Sequence, residues 1–199
     1  MYSYEKDAWG KGLLLCGIDE AGRGPLAGPV CAAAVILDPA VHIEGINDSK
    51  KLSEKKRELL YSEITEKALY WSAAFAGERE IDELNILKAT FLAMKRAYVG
   101  LGTVPDEVIV DGNRDPGLGR NVMCLVKGDA KCASVAAASI IAKVTRDRYM
   151  KNLALQYPGY GFEVHKGYPT KAHIETLRVL GPSEVHRRSF LKKILDNGK

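Results

Sequence analysis

Short unbroken apolar runs alternate along this chain with longer stretches in which apolar residues recur every three or four positions. The runs at Leu13–Ile18, Val30–Leu37, Tyr70–Ala76, Glu107–Val110 and Asn121–Val126 have the length and side chains of strands. Between them, Leu60, Ile64 and Ala68 follow Ser53, a favoured capping residue, and predict a helix. Leu87, Phe91, Met94 and Tyr98 lie on one face of a helix over Asn85–Val99 and are assigned to the core. A third helix runs from Ala130 to about Met150. Its first half, Ala133–Ala142, carries only small or apolar residues and is thin enough to lie close against a sheet. Thr170 caps a fourth, which Gly181-Pro182 ends after Leu180. Strands broken by helices predict an α/β fold, a mixed sheet covered by helices, in one domain over residues 1–199.

Candidate chemistry gathers where the runs end. The first strand leads into Asp19 and Glu20, and charged side chains at the mouth of a buried strand need a partner, for which a hard divalent cation is suited. Gly22-Arg23-Gly24 follows, open backbone flanking a guanidinium, which suits close approach of a phosphate or sugar. An acid pair at a strand end is also a common solvated turn. The spacing through Ala27 matches a dinucleotide fingerprint, but a second strand follows where a helix is required, and the two carboxylates would repel a pyrophosphate. Asp111 ends another strand before a glycine, either as a second acid at the same sheet edge or as a plain turn. Asp129 has two readings, helix cap or ligand. Tyr157–Phe162 and His165–Thr170 interleave rings, cations and glycines as a nucleic-acid contact would, and His186-Arg187-Arg188 adds positive charge.

In a regular strand Asp19 and Glu20 would point to opposite faces, so a shared cation requires the strand to end or bend there. Gly22 and Gly24 offer such a bend.

Composition narrows the setting. With 29 Lys and Arg against 25 Asp and Glu, the net charge of +4 permits a polyanionic partner without requiring one. Cys16, Cys31, Cys124 and Cys132 lack zinc spacing and read as buried small hydrophobes in a reducing compartment. No leader or membrane-length apolar run is visible, which points to a cytoplasmic protein, and Asn197–Lys199 is expected to fray.

The run Gly17-Ile18-Asp19-Glu20-Ala21-Gly22-Arg23-Gly24-Pro25-Leu26-Ala27-Gly28-Pro29-Val30 resembles the signature of the ribonuclease HII family. The likeness continues through Asp48–Ser53, Val110–Asn113, the block from Lys127-Gly128-Asp129 to Arg146-Asp147, His165–Tyr168 and His186–Phe190. The resemblance implies a ribonuclease H-like mixed sheet flanked by helices, with a C-terminal helical segment. It further implies that Asp19, Glu20, Asp111 and Asp129 hold Mg²⁺ or Mn²⁺ for hydrolysis leaving 3′-hydroxyl and 5′-phosphate ends. By the same likeness, Gly22, Arg23 and Gly24 read the 2′-hydroxyl, Tyr168 stacks near the sugar, and Lys50 contacts phosphate.

The implied substrates are RNA/DNA hybrids and DNA duplexes containing single ribonucleotides, cut by a monomer with no membrane partner. Arg23 and the short N-terminus set the chain apart from the type 3 sister family, which has lysine in the turn. Ser189-Phe190-Leu191-Lys192-Lys193 lacks the glutamine and paired aromatics by which some relatives join a sliding clamp. A junction resolvase with the same acids, or a hybrid binder without catalysis, are the rival functions.

Overall fold

The computed structural model describes residues 1–119 and 121–196; the expected fraying of Asn197–Lys199 falls outside them. Five strands form one mixed sheet: β1 (Leu15–Ala21), β2 (Val30–Ile36), β3 (Tyr70–Ala76), β4 (Glu107–Asp111) and β5 (Val122–Leu125), in the order β3-β2-β1-β4-β5. β1, β2 and β3 pair antiparallel, while β4 lies parallel to β1 and β5 parallel to β4. Every residue of β2 is buried, so its run of Val, Cys, Ala and Ile is apolar on both faces, as a strand covered on both sides requires.

Around the sheet lie α1 (Ser3–Gly10), α2 (Glu54–Lys67), α3 (Glu78–Leu84), α4 (Ile86–Gly100), α5 (Ala133–Gln156), α6 (Phe162–His165), α7 (Lys171–Leu180) and α8 (Arg188–Asp196). One layer joins Ala133, Ala136, Ala137, Ile140 and Ile141 of α5 to Cys31, Ala33 and Val35 of β2 and to Leu60 and Ile64 of α2. The opposite layer joins Ala89, Ala93, Met94 and Ala97 of α4 to Cys16, Ile18, Ala32 and Ala34. The close approach of α5 depends on Gly17, where a Cβ would stand 2.2 Å from the Ser134 backbone.

Four expectations change in detail. The buried stripe of α4 is Ala89, Thr90, Ala93, Met94 and Ala97, whereas Leu87, Phe91 and Tyr98 are only partly covered. The short side chains let the helix sit down on the sheet and tilt the larger ones to its flank. The first strand continues through Asp19 and Glu20 to Ala21, with no bend between the acids.

The long helix begins at Ala133, and Asp129 lies before it in a 3₁₀ turn, Gly128–Ala130, so it caps no α-helix. That cap comes from the unanticipated N-terminal helix: Ser134 N–H donates to Glu5 Oε1 at 2.7 Å, and the Cys132 thiol donates to the same oxygen at 3.0 Å. Finally, Arg187 is fully buried instead of adding surface charge.

Ser53 and Thr170 cap α2 and α7 as expected. Cys16, Cys31 and Cys132 are buried free thiols, and Cys124 is half-buried. Among the described residues no helix is long and apolar enough to cross a membrane.

Candidate active site

The parallel pairing of β1 with β4 places Ile18 beside Val110, so the next residue of each strand, Asp19 and Asp111, faces the same side of the sheet at its edge. Glu20 points to the opposite face, but β4 ends at Asp111, and Glu20 stands at the open corner left beyond it. It borders two recesses, one on each side of the sheet edge. The tension between neighbouring acids is therefore resolved by the end of the adjoining strand.

A cleft of about 210 Å³ is lined by Asp19, Glu20, Gly22, Arg23, Gly24, Lys50, Asp111 and Tyr168, together with Ser49, Ser139 and Lys143. It contains every expected site residue except Asp129, which lies beside it. Burial and the neighbouring Glu20 and Asp111 hold the Asp19 carboxyl well above the ordinary carboxylate range. Burial also raises Glu20, against the lowering effect of Arg23, whose Nη1 donates to Glu20 Oε1 at 3.2 Å. Asp129 is raised by burial and by Asp111.

The protein's own donors hold these acids. Glu20 N–H donates to Asp19 Oδ1 at 2.7 Å, Gly128 N–H to Asp111 Oδ1 at 2.7 Å, and Lys50 Nζ stands 3.6 Å from Asp129 Oδ2. Among the described residues no three such side chains are close enough to cage an ion as they stand. The donor set nonetheless fits a hard divalent cation: the converging groups are carboxylates, the carboxyls of Asp19, Glu20 and Asp129 are held above the ordinary range, and an ammonium lies at the edge of the group. Lys50 is delivered by the 3₁₀ turn Ser49–Lys51, tied to α5 by a 2.7 Å hydrogen bond between the Ser49 and Ser139 hydroxyls.

The glycine turn is held from behind by two arginines that sequence reasoning had not assigned to it. Arg187 donates to the carbonyls of Gly28 (2.8 Å), Arg23 (2.9 Å) and Gly22 (2.6 Å). Arg146 donates to those of Pro29 (2.8 Å), Lys166 (3.1 Å) and Ala27 (3.2 Å). In a trans peptide the C=O and N–H point opposite ways. Drawing the Gly22 and Arg23 carbonyls onto Arg187 therefore turns the N–H groups of Arg23 and Gly24 away from it, as two free-standing donors.

Gly22 is irreplaceable here, with φ +92° and the site of its absent Cβ 1.9 Å from Arg146 Nε. Arg146 lay in a family-like block and in the i, i+4 stripe between Ala142 and Met150, both apolar. Arg187 lay in the family-like block His186–Phe190, but nothing in its local pattern marked it for burial.

Tyr168 closes the far wall, its ring 3.7 Å from where a Gly24 Cβ would stand and 5.9 Å from the Arg146 guanidinium carbon. On the opposite flank of the acids, Leu87, Phe91 and Met94 floor a recess of about 340 Å³ that Glu20, Arg23, Asp111 and Arg114 also border. Those helix residues, expected only in the core, thus also line a recess beside the acids.

A mixed five-stranded sheet with acids at the edge of its central parallel pair defines a protein of the ribonuclease H-like fold. The ribonuclease HII family model matches residues 16–193. A curated ribonuclease HII from Caldicellulosiruptor bescii is 56% identical over 181 residues, covering 91% of this chain and 88% of that one. Among solved structures, ribonuclease H2 from Pyrococcus horikoshii OT3 is similar with a TM-score of 0.75 at 32% identity, over 92% of this chain and 97% of that one. The structure of the PCNA:RNase HII complex from Archaeoglobus fulgidus gives a TM-score of 0.74 at 28% identity, over 88% and 94%. The chain belongs to the ribonuclease HII family, and so to the metal-dependent endoribonucleases that degrade the RNA of RNA/DNA hybrids.

Proposed function

We propose that this protein incises the RNA strand of hybrids, and DNA duplexes on the 5′ side of a single embedded ribonucleotide, leaving 3′-hydroxyl and 5′-phosphate ends. The observation that carries the reading is the single cleft in which three acids, the glycine turn, Lys50 and Tyr168 meet. Asp19, Glu20, Asp111 and Asp129 hold the divalent ions, Mg²⁺ or Mn²⁺. When bound, two such ions supply an activated water and charge neutralisation at the departing oxygen. Lys50 Nζ, already beside Asp129, moves to a phosphate oxygen once its acid partner is engaged.

The Arg23 and Gly24 amides donate to the 2′-hydroxyl, the group that separates RNA from DNA locally. Tyr168 stacks on the adjoining sugar. Such an enzyme acts in removing ribonucleotides from replicated DNA, in the cytoplasm, as a monomer whose one domain spans residues 1–199. Phe190 lies 5.2 Å from the Arg187 guanidinium carbon and Leu191 is buried, so this stretch serves its own fold and is not offered as a clamp peptide.

The test is Asp111→Asn, assayed on a duplex with one ribonucleotide by mapping both ends. A loss of activity on the order of 10³-fold is expected, with the melting temperature retained. Cleavage at the parental rate refutes the role of Asp111. Cutting of an all-DNA branched substrate instead would favour a junction resolvase, and binding without product at any Mg²⁺ or Mn²⁺ concentration a non-catalytic binder.

A further inference from the structure

Three of the four histidines, His165, His173 and His186, converge on Phe162 behind the cleft, with ring centroids 5.6–6.0 Å from the Phe162 ring. Their hydrogen bonds fix where each proton lies. Ser183 N–H donates to His186 Nδ1 at 3.0 Å, so the neutral ring carries its proton on Nε2. That Nε2 is 3.1 Å from His173 Nε2, which must then accept. His173 therefore carries its proton on Nδ1, 2.9 Å from the Tyr168 carbonyl oxygen, to which it donates. Gly167 N–H donates to His165 Nδ1 at 3.1 Å, leaving His165 Nε2–H to donate to the Tyr160 carbonyl at 2.7 Å. All three rings are complete as neutral imidazoles in a single tautomer each.

The two ends of this chain are attached to the two parts of the recognition site. His186 forms a β-bridge with Ala27, flanked by Gly28 N–H to the Val185 carbonyl at 3.0 Å and Arg187 N–H to the Leu26 carbonyl at 2.8 Å. The next residue, Arg187, grips the Gly22 and Arg23 carbonyls. At the other end stands the backbone of Tyr168. We propose that His186 and His173 are positioning residues that couple the glycine turn to Tyr168 through a directed chain of two neutral imidazoles. The pair thereby keeps the 2′-hydroxyl donors and the sugar-stacking ring in one register. This rests on the reading of those two elements as the sugar-recognition site.

The device has a defined way to fail. A second proton on His173 would set two N–H groups against each other across the 3.1 Å contact, and a second proton on His186 would oppose Ser183 N–H. Burial lowers His165 and His173 and brings His186 down to about 4, with Arg188 facing His186, and Glu163 and Lys166 facing His165. For bases so depressed, the unfolded chain takes up protons first, so this contribution is complete above pH ~6.5 and is lost as pH falls towards 4.

Two measurements decide it. Long-range ¹H–¹⁵N correlation of the full chain at pH 6.5 is expected to show His173 protonated on Nδ1, and His165 and His186 on Nε2, all neutral. An imidazolium among them, or the reverse tautomer at His173 or His186, overturns the proposal. Steady-state cleavage of a DNA duplex with one ribonucleotide then compares His173→Asn, His173→Leu and Tyr168→Ala. Asparagine can still donate to the Tyr168 carbonyl but cannot reach His186.

His173→Leu is expected to lower kcat/KM about tenfold, with Mn²⁺ affinity by calorimetry unchanged, and to add nothing when combined with Tyr168→Ala. His173→Asn should recover part of the loss. If Tyr168→Ala itself has no effect, the reading of Tyr168 is wrong. If Tyr168→Ala impairs cleavage and both His173 variants do not, the coupling is wrong. Should His173→Leu fail to fold, the tautomers of the parent and the asparagine variant still decide.

Discussion

The acid cleft and the scaffold behind the glycine turn lie side by side and are built in opposite ways. In the cleft, like charges are crowded: Asp19, Glu20 and Asp129 are all held above ordinary carboxylate values. Behind the turn, Arg146 and Arg187 are buried cations, yet each donates to three carbonyls, and the adjoining histidines are neutral and paired. The cleft stores repulsion that a bound cation relieves, whereas the scaffold needs nothing from outside. Metal should therefore govern the stability of one region and leave the other unaffected.

The largest expected effect comes from breaking the scaffold. Arg187→Met leaves the carbonyls of Gly22, Arg23 and Gly28 without their donor, and should destabilise the fold by about 3–5 kcal/mol in urea titrations with or without metal. Next comes Gly22→Ala, which puts a side chain at positive φ against Arg146 and should cost about 2–4 kcal/mol. A neutral result for either would mean that the turn is not held from behind.

Smaller, and opposite in sign, is Asp19→Asn. A carboxyl whose folded pKa is raised contributes stability below its unfolded pKa near 4 and loses it as pH rises through the folded value. The metal-free parent should then melt lower at pH 8 than at pH 5. Asp19→Asn should raise the metal-free melting temperature at pH 8 by about 2–4 °C while abolishing Mn²⁺ binding. A lower melting temperature would show that the acids are not in conflict.

The smallest effect is expected at Gly24→Ala, since φ there is not in the left-handed region and the new Cβ would meet Tyr168 at an ordinary 3.7 Å. Stability should change by less than about 0.5 kcal/mol, which sets it apart from Gly22→Ala two residues away.

The same division runs through what could be read in advance. Asp19, Glu20 and Asp111 stand at the ends of apolar runs, and a run that ends in an acid is a local pattern, visible without any fold. Gly22 and Gly24 were likewise visible as a pair, but only contacts separate them, because one faces Arg146 and the other Tyr168. Phe91 and Leu87 were placed in the core because helical periodicity registers a common face and not what covers it; the sheet took the alanines of α4 and left the larger residues beside the acids. Of the two readings of Asp129, the cap is filled instead by Glu5, 129 residues away from Ser134.

The order of side chains along the chain was enough to determine an α/β fold, its strands and the starts of α2, α4 and α7, because periodicity, caps and breakers act over a few residues. It also singled out Asp19, Glu20 and Asp111, since these terminate local runs. The partners of Arg146, Arg187, His173 and His186 were decided by tertiary structure alone. A buried cation or imidazole is defined by the carbonyls and amides that surround it, and here these arrive from segments up to 165 residues distant, through contacts that no short window of sequence contains.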